Sequence, residues 1–575
     1  MRPRMMAFSG WGYPGSAFDA SDKPALWELI HRKMGCGPAD RAPPAEFAAI
    51  QVPEPRADAG SVAALRALLG GEHVALDRET RLLHGMGKSY RDLLRARAGR
   101  PGRVPDVVVF PESTVQVADI VSLARARKFA IIPFGGGTNI VGGVEPSPAL
   151  AAPVVTVSLR RMNRLVSLDE VSGTATIEAG ALGPEIEQAL NGRGYTLGHF
   201  PDSFLHSTLG GWLATRSAGM QSDARGKIED MVVSLKIVTP VGMLATRVAA
   251  RSATGPDLNQ IVVGSEGTVG IITEATMTVH RRGVQAYHGV LMPDFRSGVE
   301  LMRRCSREDS APSTMRLSNA EETELGLTLK PPGGPGARAF KAMVKAYLRR
   351  VRGFNLGEAC LLILGWEGSA GDVGRRRARS LAIARGLNGF SLGESAGNAW
   401  FDRKYDYPLL RDLVMEHGGM VDVTEATVTW RDAMATYERV HGAMHRELCR
   451  EAFPGYVGCH LSHAYETGVC IYFTFAAARA KGAEMEQYLR AKALSVELLL
   501  GAGASLSHHH SIGYEHLPWM EDYVGPAGMA ALRGLKAALD PGNICNPGKL
   551  LPSAESALGQ YWPGYPAGVG AGRAP

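Results

Sequence analysis

Three glycine-rich segments fall between residues 133 and 279, and they limit what this chain can become. Pro133 to Val144 reads PFGGGTNIVGGV, Pro201 to Gly219 reads PDSFLHSTLGGWLATRSAG, and Gly264 to Val279 reads GSEGTVGIITEATMTV. Glycine lets a backbone approach a ligand closely and turn several N–H groups toward an anion. Two familiar phosphate loops are excluded. No Lys follows the first glycines, so there is no P-loop. Gly135-x-Gly137 is followed by Thr138, Asn139 and Ile140, so the third glycine of a dinucleotide fingerprint is missing. Taken singly, each segment is a tight turn. Taken together, each attached to a strand or helix, they suit one extended ligand with a diphosphate, and a dinucleotide has that length.

The surrounding texture is α+β. PDVVVFP and AIIPF are short apolar runs expected as buried strands. Between them Ser113 and Gln116 have capping-box spacing, and Val117, Ile120, Val121 and Ala124 follow at helical intervals. PVVTVSL and TATIEAG add further strands. The expected division is a helical segment at 1–104, a ligand-binding domain at 105–283, a cap of longer helices and strands at 284–500, a returning segment at 501–560, and a frayed tail at 561–575. With 575 residues, 45% of them hydrophobic, each part can hold a core.

Charge and cysteines narrow the partners. A net charge of +6 over this length is no argument for nucleic acid. The seven cysteines are scattered without a C-x-x-C pair, as in reduced thiols. No apolar run reaches the ~20 residues of a spanning helix. The basic start of the chain has no apolar stretch of the secretory kind behind it. A cytoplasmic protein is expected, with peripheral contact to the inner face of a membrane.

The three loops resemble the FAD-binding domain of the vanillyl-alcohol oxidase and p-cresol methylhydroxylase family, in order and across 105–283. That resemblance implies a two-part FAD domain with a helix-and-sheet cap. It assigns flavin contacts to Pro133, Phe134, Gly135, Gly136, Gly137, Thr138 and Asn139. It adds Asp202, Ser203, Phe204, Leu205, His206, Ser207 and Thr208, then Thr215, Arg216, Ser217 and Ala218. The third loop contributes Glu266, Gly267, Thr268, Val269, Gly270, Ile271 and Ile272. Some members bond flavin through a histidine in the first loop. Thr138 and Asn139 stand there here, so non-covalent FAD is expected.

WGYPGSAF, RLLHGMGKSYRDLL, GKIEDMVVSLKIVTPVG, AYETGVCIYFTF and SLSHHHSIG are similar to one branch of that family. Its members exchange the acyl group of acyl-dihydroxyacetone phosphate for a fatty alcohol, making an ether lipid without net oxidation. Carried over, Tyr465 moves a proton at the substrate carbon and Arg316 is needed for activity. Arg411 contacts the phosphate, with Arg403 as the alternative register. A phenol titrates near 10 in water, so acting as a base would require positive charge nearby. The stretch AWFDRKYDYPLLRDL looks instead like a general bacterial flavin oxidase. An FAD-dependent oxidoreductase of 2-hydroxy acids or alcohols therefore stays open, as does a flavoprotein without catalysis.

His508, His509 and His510 invite a metal, because imidazole is a common ligand. In an extended strand, however, His508 and His510 would share one face and His509 the other. No Cys or carboxylate sits beside them at ligand spacing. They are expected as a pocket wall that stabilises negative charge and passes protons with Tyr465, with no metal. Which of the three faces the flavin stays open.

Phe340, Met343, Val344, Tyr347, Leu348 and Val351 recur at helical spacing within 337–354, among Arg338, Lys341, Lys345, Arg349, Arg350 and Arg352. That is a basic amphipathic helix, suited to an anionic membrane surface or to packing on the cap. The expected partners are a phosphorylated lipid and a fatty alcohol, with a homodimer as a candidate assembly.

Overall fold

The computed structural model describes residues 3–308, 310–330, 334–449 and 453–563. Residues 564–575 of the tail and 331–333 of the Pro/Gly break lie outside the described residues.

The first half carries two main sheets and a two-stranded ribbon of Tyr195–Thr196 with His280–Arg281. In one, Val107–Val109 and Ala130–Phe134 flank Val154–Ser158 in parallel, with Val74–Ala75 antiparallel at the edge. Val107, Val108 and Val109 are fully buried, as strands covered on both faces require. The helix Thr114–Arg127 joins two of these strands. Ser113 caps it by accepting from the Gln116 amide at 3.2 Å. Gln116 does not complete a capping box, because its side chain accepts from the Glu112 amide instead. The second sheet is antiparallel and five-stranded, with Ile271–Thr278 at its centre between Thr174–Glu178 and Val232–Thr239. Both sheets share one apolar core.

The second half is a seven-stranded antiparallel sheet. Its order is Phe390–Gly393, Val284–Met292, Cys360–Gly368, Thr314–Ser318, Tyr456–Ala464, Gly468–Ala478 and Gly419–Thr429. The helices Phe295–Arg307, Ala370–Gly386 and Ala433–Leu448 pack on this sheet. Strand alternation sorts its residues. Cys459, Leu461, Ile471, Phe473 and Phe475 belong to the fully buried core. Their neighbours Tyr456, His460, Ser462, Tyr472, Thr474 and Ala476 line a cavity.

The N-terminal segment is divided between the halves. Helix Pro24–Met34 joins the cap core through Leu26, Ile30 and Met34, whereas Ala59–Leu69 joins the other core through Val62, Leu65 and Leu69. The last segment returns to the first half, where Cys545 bridges to Ile131. All seven cysteines are unpaired. Among the described residues no helix is long and apolar enough to cross a membrane.

Candidate active site

A cavity of about 390 Å³ lies between the halves. All of Pro133 to Asn139 line it, with Asp202, Ser203, Ser207, Thr208, Thr215, Ser217, Ala218, Glu266, Gly267, Gly270 and Ile272. Among the described residues, no backbone acceptor takes the N–H groups of Gly136, Gly137 or Thr138. A Cβ on Gly136 would stand 1.6 Å from the His206 carbonyl oxygen, so the first loop lies directly on the second. Asn139 accepts from the Val141 and Gly143 amides at 3.1 and 2.7 Å and folds the loop onto itself. Free donors on adjoining loops fit the diphosphate of FAD.

Seven of the expected flavin contacts do not reach this cavity. Phe204 and Val269 lie in the apolar core, as does Ile271. Leu205 is exposed. His206 stands edge-on to Trp11 and Tyr13. Arg216 ends a helix in the left-handed region, and its guanidinium donates to the carbonyls of Val263 and Gln260. Thr268 donates back to Ser265. The resemblance picks whole segments, but a turning backbone directs only some of their side chains inward.

The opposite wall is polar. Arg316 donates to Glu322 at 2.6 Å and lies 3.0 Å from His460 Nδ1. Burial works against the Glu322 charge, but His460 and Arg316 outweigh it and hold the carboxyl down at about 2. Arg316 is thus a fixed positive charge already paired. Arg411 also lines the cavity, donating to the Lys88 carbonyl at 2.8 Å and pairing with Asp412 at 3.1 Å. Arg403 does not: it is exposed and donates to the Leu329 carbonyl. The alternative register is therefore wrong for a cavity contact. Leu26, Leu29, Ile30, Met34, Leu325, Leu410, Val414 and Val421 form an apolar part of the same lining.

The histidine row is not extended. It bends around Glu425, whose buried carboxylate accepts from Ser507 Oγ at 2.7 Å and from the amides of His508, His509 and His510 at 2.8, 3.1 and 3.0 Å. The two faces of an extended strand do not apply, because this carboxylate draws three consecutive N–H groups to one side. His509 and His510 line the cavity. His508 stands behind them, with Nδ1 2.9 Å from His509 Nδ1 and Nε2 2.6 Å from the Tyr465 hydroxyl. Burial pushes His509 down to about 3 and His510 to about 4, so both are neutral near pH 7. Burial raises Tyr465, opposite to the direction a free base would need. Its phenol keeps its proton and communicates through His508.

Family models match along the chain, "FAD binding domain" at residues 105–246 and "FAD linked oxidases, C-terminal domain" at 282–550. An alkyldihydroxyacetonephosphate synthase of Trypanosoma brucei brucei is 39% identical over 89% of this chain and 84% of its own length. The chain belongs to the alkyldihydroxyacetonephosphate synthase family. A solved structure of an alkyldihydroxyacetonephosphate synthase superposes with a TM-score of 0.82 at 35% identity, covering 95% of this chain and 99% of that one. A p-cresol methylhydroxylase shares the fold, with a TM-score of 0.64 at 16% identity over 86% of this chain and 98% of that one. The two-part FAD domain and its cap are thereby established, and the chain is an FAD-dependent enzyme.

In this member of the synthase family several site residues escaped the sequence reading. His463 is a bulge residue at φ 52°, which swings its ring into the cavity, and Ser222 Oγ lies 2.5 Å from its Nδ1. His460 and Tyr472 stack at 4.5 Å on the cavity face. Lys227 donates to the His508 carbonyl at 2.6 Å. The available signal is the pair of histidines at 460 and 463 just before Tyr465 in HLSHAYETG. Contrary to expectation, a carboxylate and a thiol do converge on the histidines, since ligand atoms of Glu425, Cys470, His508 and His509 lie within 4.8 Å of one another. The Glu425 oxygens are spent on three backbone amides and the Ser507 hydroxyl. Glu321, His441 and His445 also converge, but Lys33 stands 3.1 Å from that carboxylate and supplies its counter-charge.

Proposed function

We propose that the chain exchanges the acyl group of an acyl-dihydroxyacetone phosphate for a fatty alcohol, using non-covalent FAD and with no net oxidation. One observation carries this: a single cavity runs from glycine-loop donors, past half-buried arginines, to an apolar wall. A phosphate, a reacting carbon and an alkyl chain each have a matching surface there. A small 2-hydroxy acid would need the first two and leave the apolar wall unused.

Bound FAD supplies an electron-poor ring beside the substrate carbon. Arg411 orients the phosphate, since a guanidinium offers paired donors to two oxygens. Arg316 keeps Glu322 and His460 in place and adds fixed positive potential. The leucines, isoleucine and valines of the apolar wall exclude water from the exchange. A proton moves between the cavity and Tyr465 through His509 and His508. Thr138 and Asn139 offer no ring nitrogen for a flavin bond, so acid precipitation should leave all flavin in the supernatant.

The helix Pro335–Arg350 is proposed to rest on an anionic membrane surface. Leu348 is buried against Phe354 and Ala359, whereas Phe340 and Met343 are 63% and 60% exposed beside Lys341 and Lys345. Only one edge of its apolar face packs on the protein. The catalytic reading is tested by supplying palmitoyl-dihydroxyacetone phosphate and hexadecanol. Ether product with the flavin still oxidised is expected. Lasting anaerobic bleaching by a 2-hydroxy acid without ether product would establish the oxidoreductase instead.

A further inference from the structure

The segment carrying the histidine row is held at both ends by carboxylates that come from different halves of the molecule. Glu425, on the cap strand Gly419–Thr429, takes the amides of His508, His509 and His510. Glu266, in the third glycine loop, takes the amides of Ile512 and Gly513 at 2.7 and 2.8 Å. Between the two clamps Ser511 turns through φ 72°. Gly513 must lack a side chain, since its Cβ would stand 2.1 Å from the Val141 carbonyl. Five amides within six residues thus donate to two buried carboxylates, an arrangement that no strand or helix ladder would need. Hydrogen bonds to a charged acceptor, as at Glu425, are among the strongest a backbone makes.

We propose that Glu425 and Glu266 are positioning residues that clamp the histidine row between the FAD half and the cap, and that Glu425 sets the Tyr465–His508–His509 proton path. The proposal rests on reading that row as the wall of the flavin site. The two Glu425 oxygens act differently. Oε1 accepts from Ser507, His509 and His510, whereas Oε2 accepts from the His508 amide and faces the Cys470 thiol at 3.9 Å. His508 links Tyr465 to His509. One consistent arrangement has Tyr465 O–H donating to His508 Nε2 and His508 Nδ1–H donating to His509 Nδ1. In the other, His509 Nδ1–H donates to His508 Nδ1 and His508 Nε2–H donates to the Tyr465 oxygen. A proton delivered at one end leaves from the other only while both short contacts hold.

Glu425→Gln keeps one acceptor oxygen and turns the other into a donor. If the carbonyl stays on Ser507, His509 and His510, the donor faces the His508 N–H, and His508 alone is released. The FAD-loaded protein should keep its flavin content and KM, and kcat should fall up to about a hundredfold, the cost of a misplaced catalytic group. Combined with Tyr465→Phe, the loss should not exceed that of the larger single variant, because both break one path. Multiplied losses would overturn the assignment of Glu425 to that path. Hydrogen exchange over residues 505–516 tests the clamp without turnover. Glu425→Gln should speed exchange at 508, and Glu266→Gln at 512 and 513. Unchanged exchange in both variants would overturn the clamp. If the wild-type protein makes no ether while these exchange changes occur, the functional reading fails and the clamp stands.

Discussion

The two walls of the cavity are made from opposite materials. The FAD wall is mostly backbone: glycine loops with amides that no described backbone acceptor takes and with packing that leaves no room for a Cβ. The cap wall is mostly side chain: one face of a twisted sheet, where alternate residues present Arg316, His460 and Tyr472. A backbone wall is fixed by what it lacks, and a side-chain wall by what it carries. The first should be broken by adding atoms and the second by removing them.

The sharpest way to break this contrast is Gly136→Ala. Overpacking usually costs ~1–3 kcal/mol, and here the new methyl would meet a backbone carbonyl that cannot step aside. Loss of bound flavin, read as visible absorbance per protein, is expected together with a lowered melting temperature. Behind the cap wall, where Tyr465 meets His508 without lining the cavity itself, Tyr465→Phe removes one oxygen. Flavin should stay bound while turnover falls by ~10²–10⁴, the usual worth of a positioned proton-transfer group. If Tyr465→Phe loses flavin or Gly136→Ala keeps it, the division into two materials is wrong.

Acidity offers a finer separation. His509, His510 and His516 are pushed by burial to about 3, 4 and 4, from 6.5. The unfolded chain binds those protons first, so their contribution is lost as pH falls below about 6.5. Burial pushes Glu266 and Asp223 the other way, up to about 7 from 4.5 and 3.8. Here the folded protein binds the proton more tightly, so stability is lost as pH rises from about 4.5 to 7. Hydrogen-exchange protection in the apoprotein should therefore move in opposite directions across that window, rising with pH around 507–510 and falling around 222–225, 264–270 and 512–513, which Glu266 holds.

Smaller effects lie at the margins. Phe340→Ser with Met343→Ser should weaken flotation with anionic vesicles several-fold and leave turnover of a detergent-dispersed substrate unchanged. Arg403→Ala should change neither KM nor kcat, and stability by no more than ~0.5 kcal/mol, as for other exposed positions. A raised KM would return it to the phosphate.

Legibility in the sequence followed the same contrast. The FAD wall comes from contiguous segments, so PFGGGTN and GSEGTVG announced it, as did the strands at 107–109 and 130–134. The cap wall is gathered from strands far apart in the chain. Nothing local in TEATVTW marks Glu425 as the anchor of a loop 83 residues later. Glu322 reads as an ordinary first-turn acid on Ala320–Thr328, and only the fold brings it to Arg316. His463 was hidden because a bulge breaks the alternation by which strands are read. The bend of the histidine row is not legible locally because its shaping partner, Glu425, lies on another element.

The bridge between Ile131 and Cys545 has a consequence for how the protein is made. Asn546 ties Gly143 across a separation of 403 residues, and it also holds the Glu266 carbonyl. On the ribosome the first glycine loop emerges 403 residues ahead of the Asn546 that locks it. Such distant closure is slow and leaves partly built surfaces waiting. Flavin capture should therefore wait for residues 545 and 546, and nascent chains halted before residue 540 should emerge colourless.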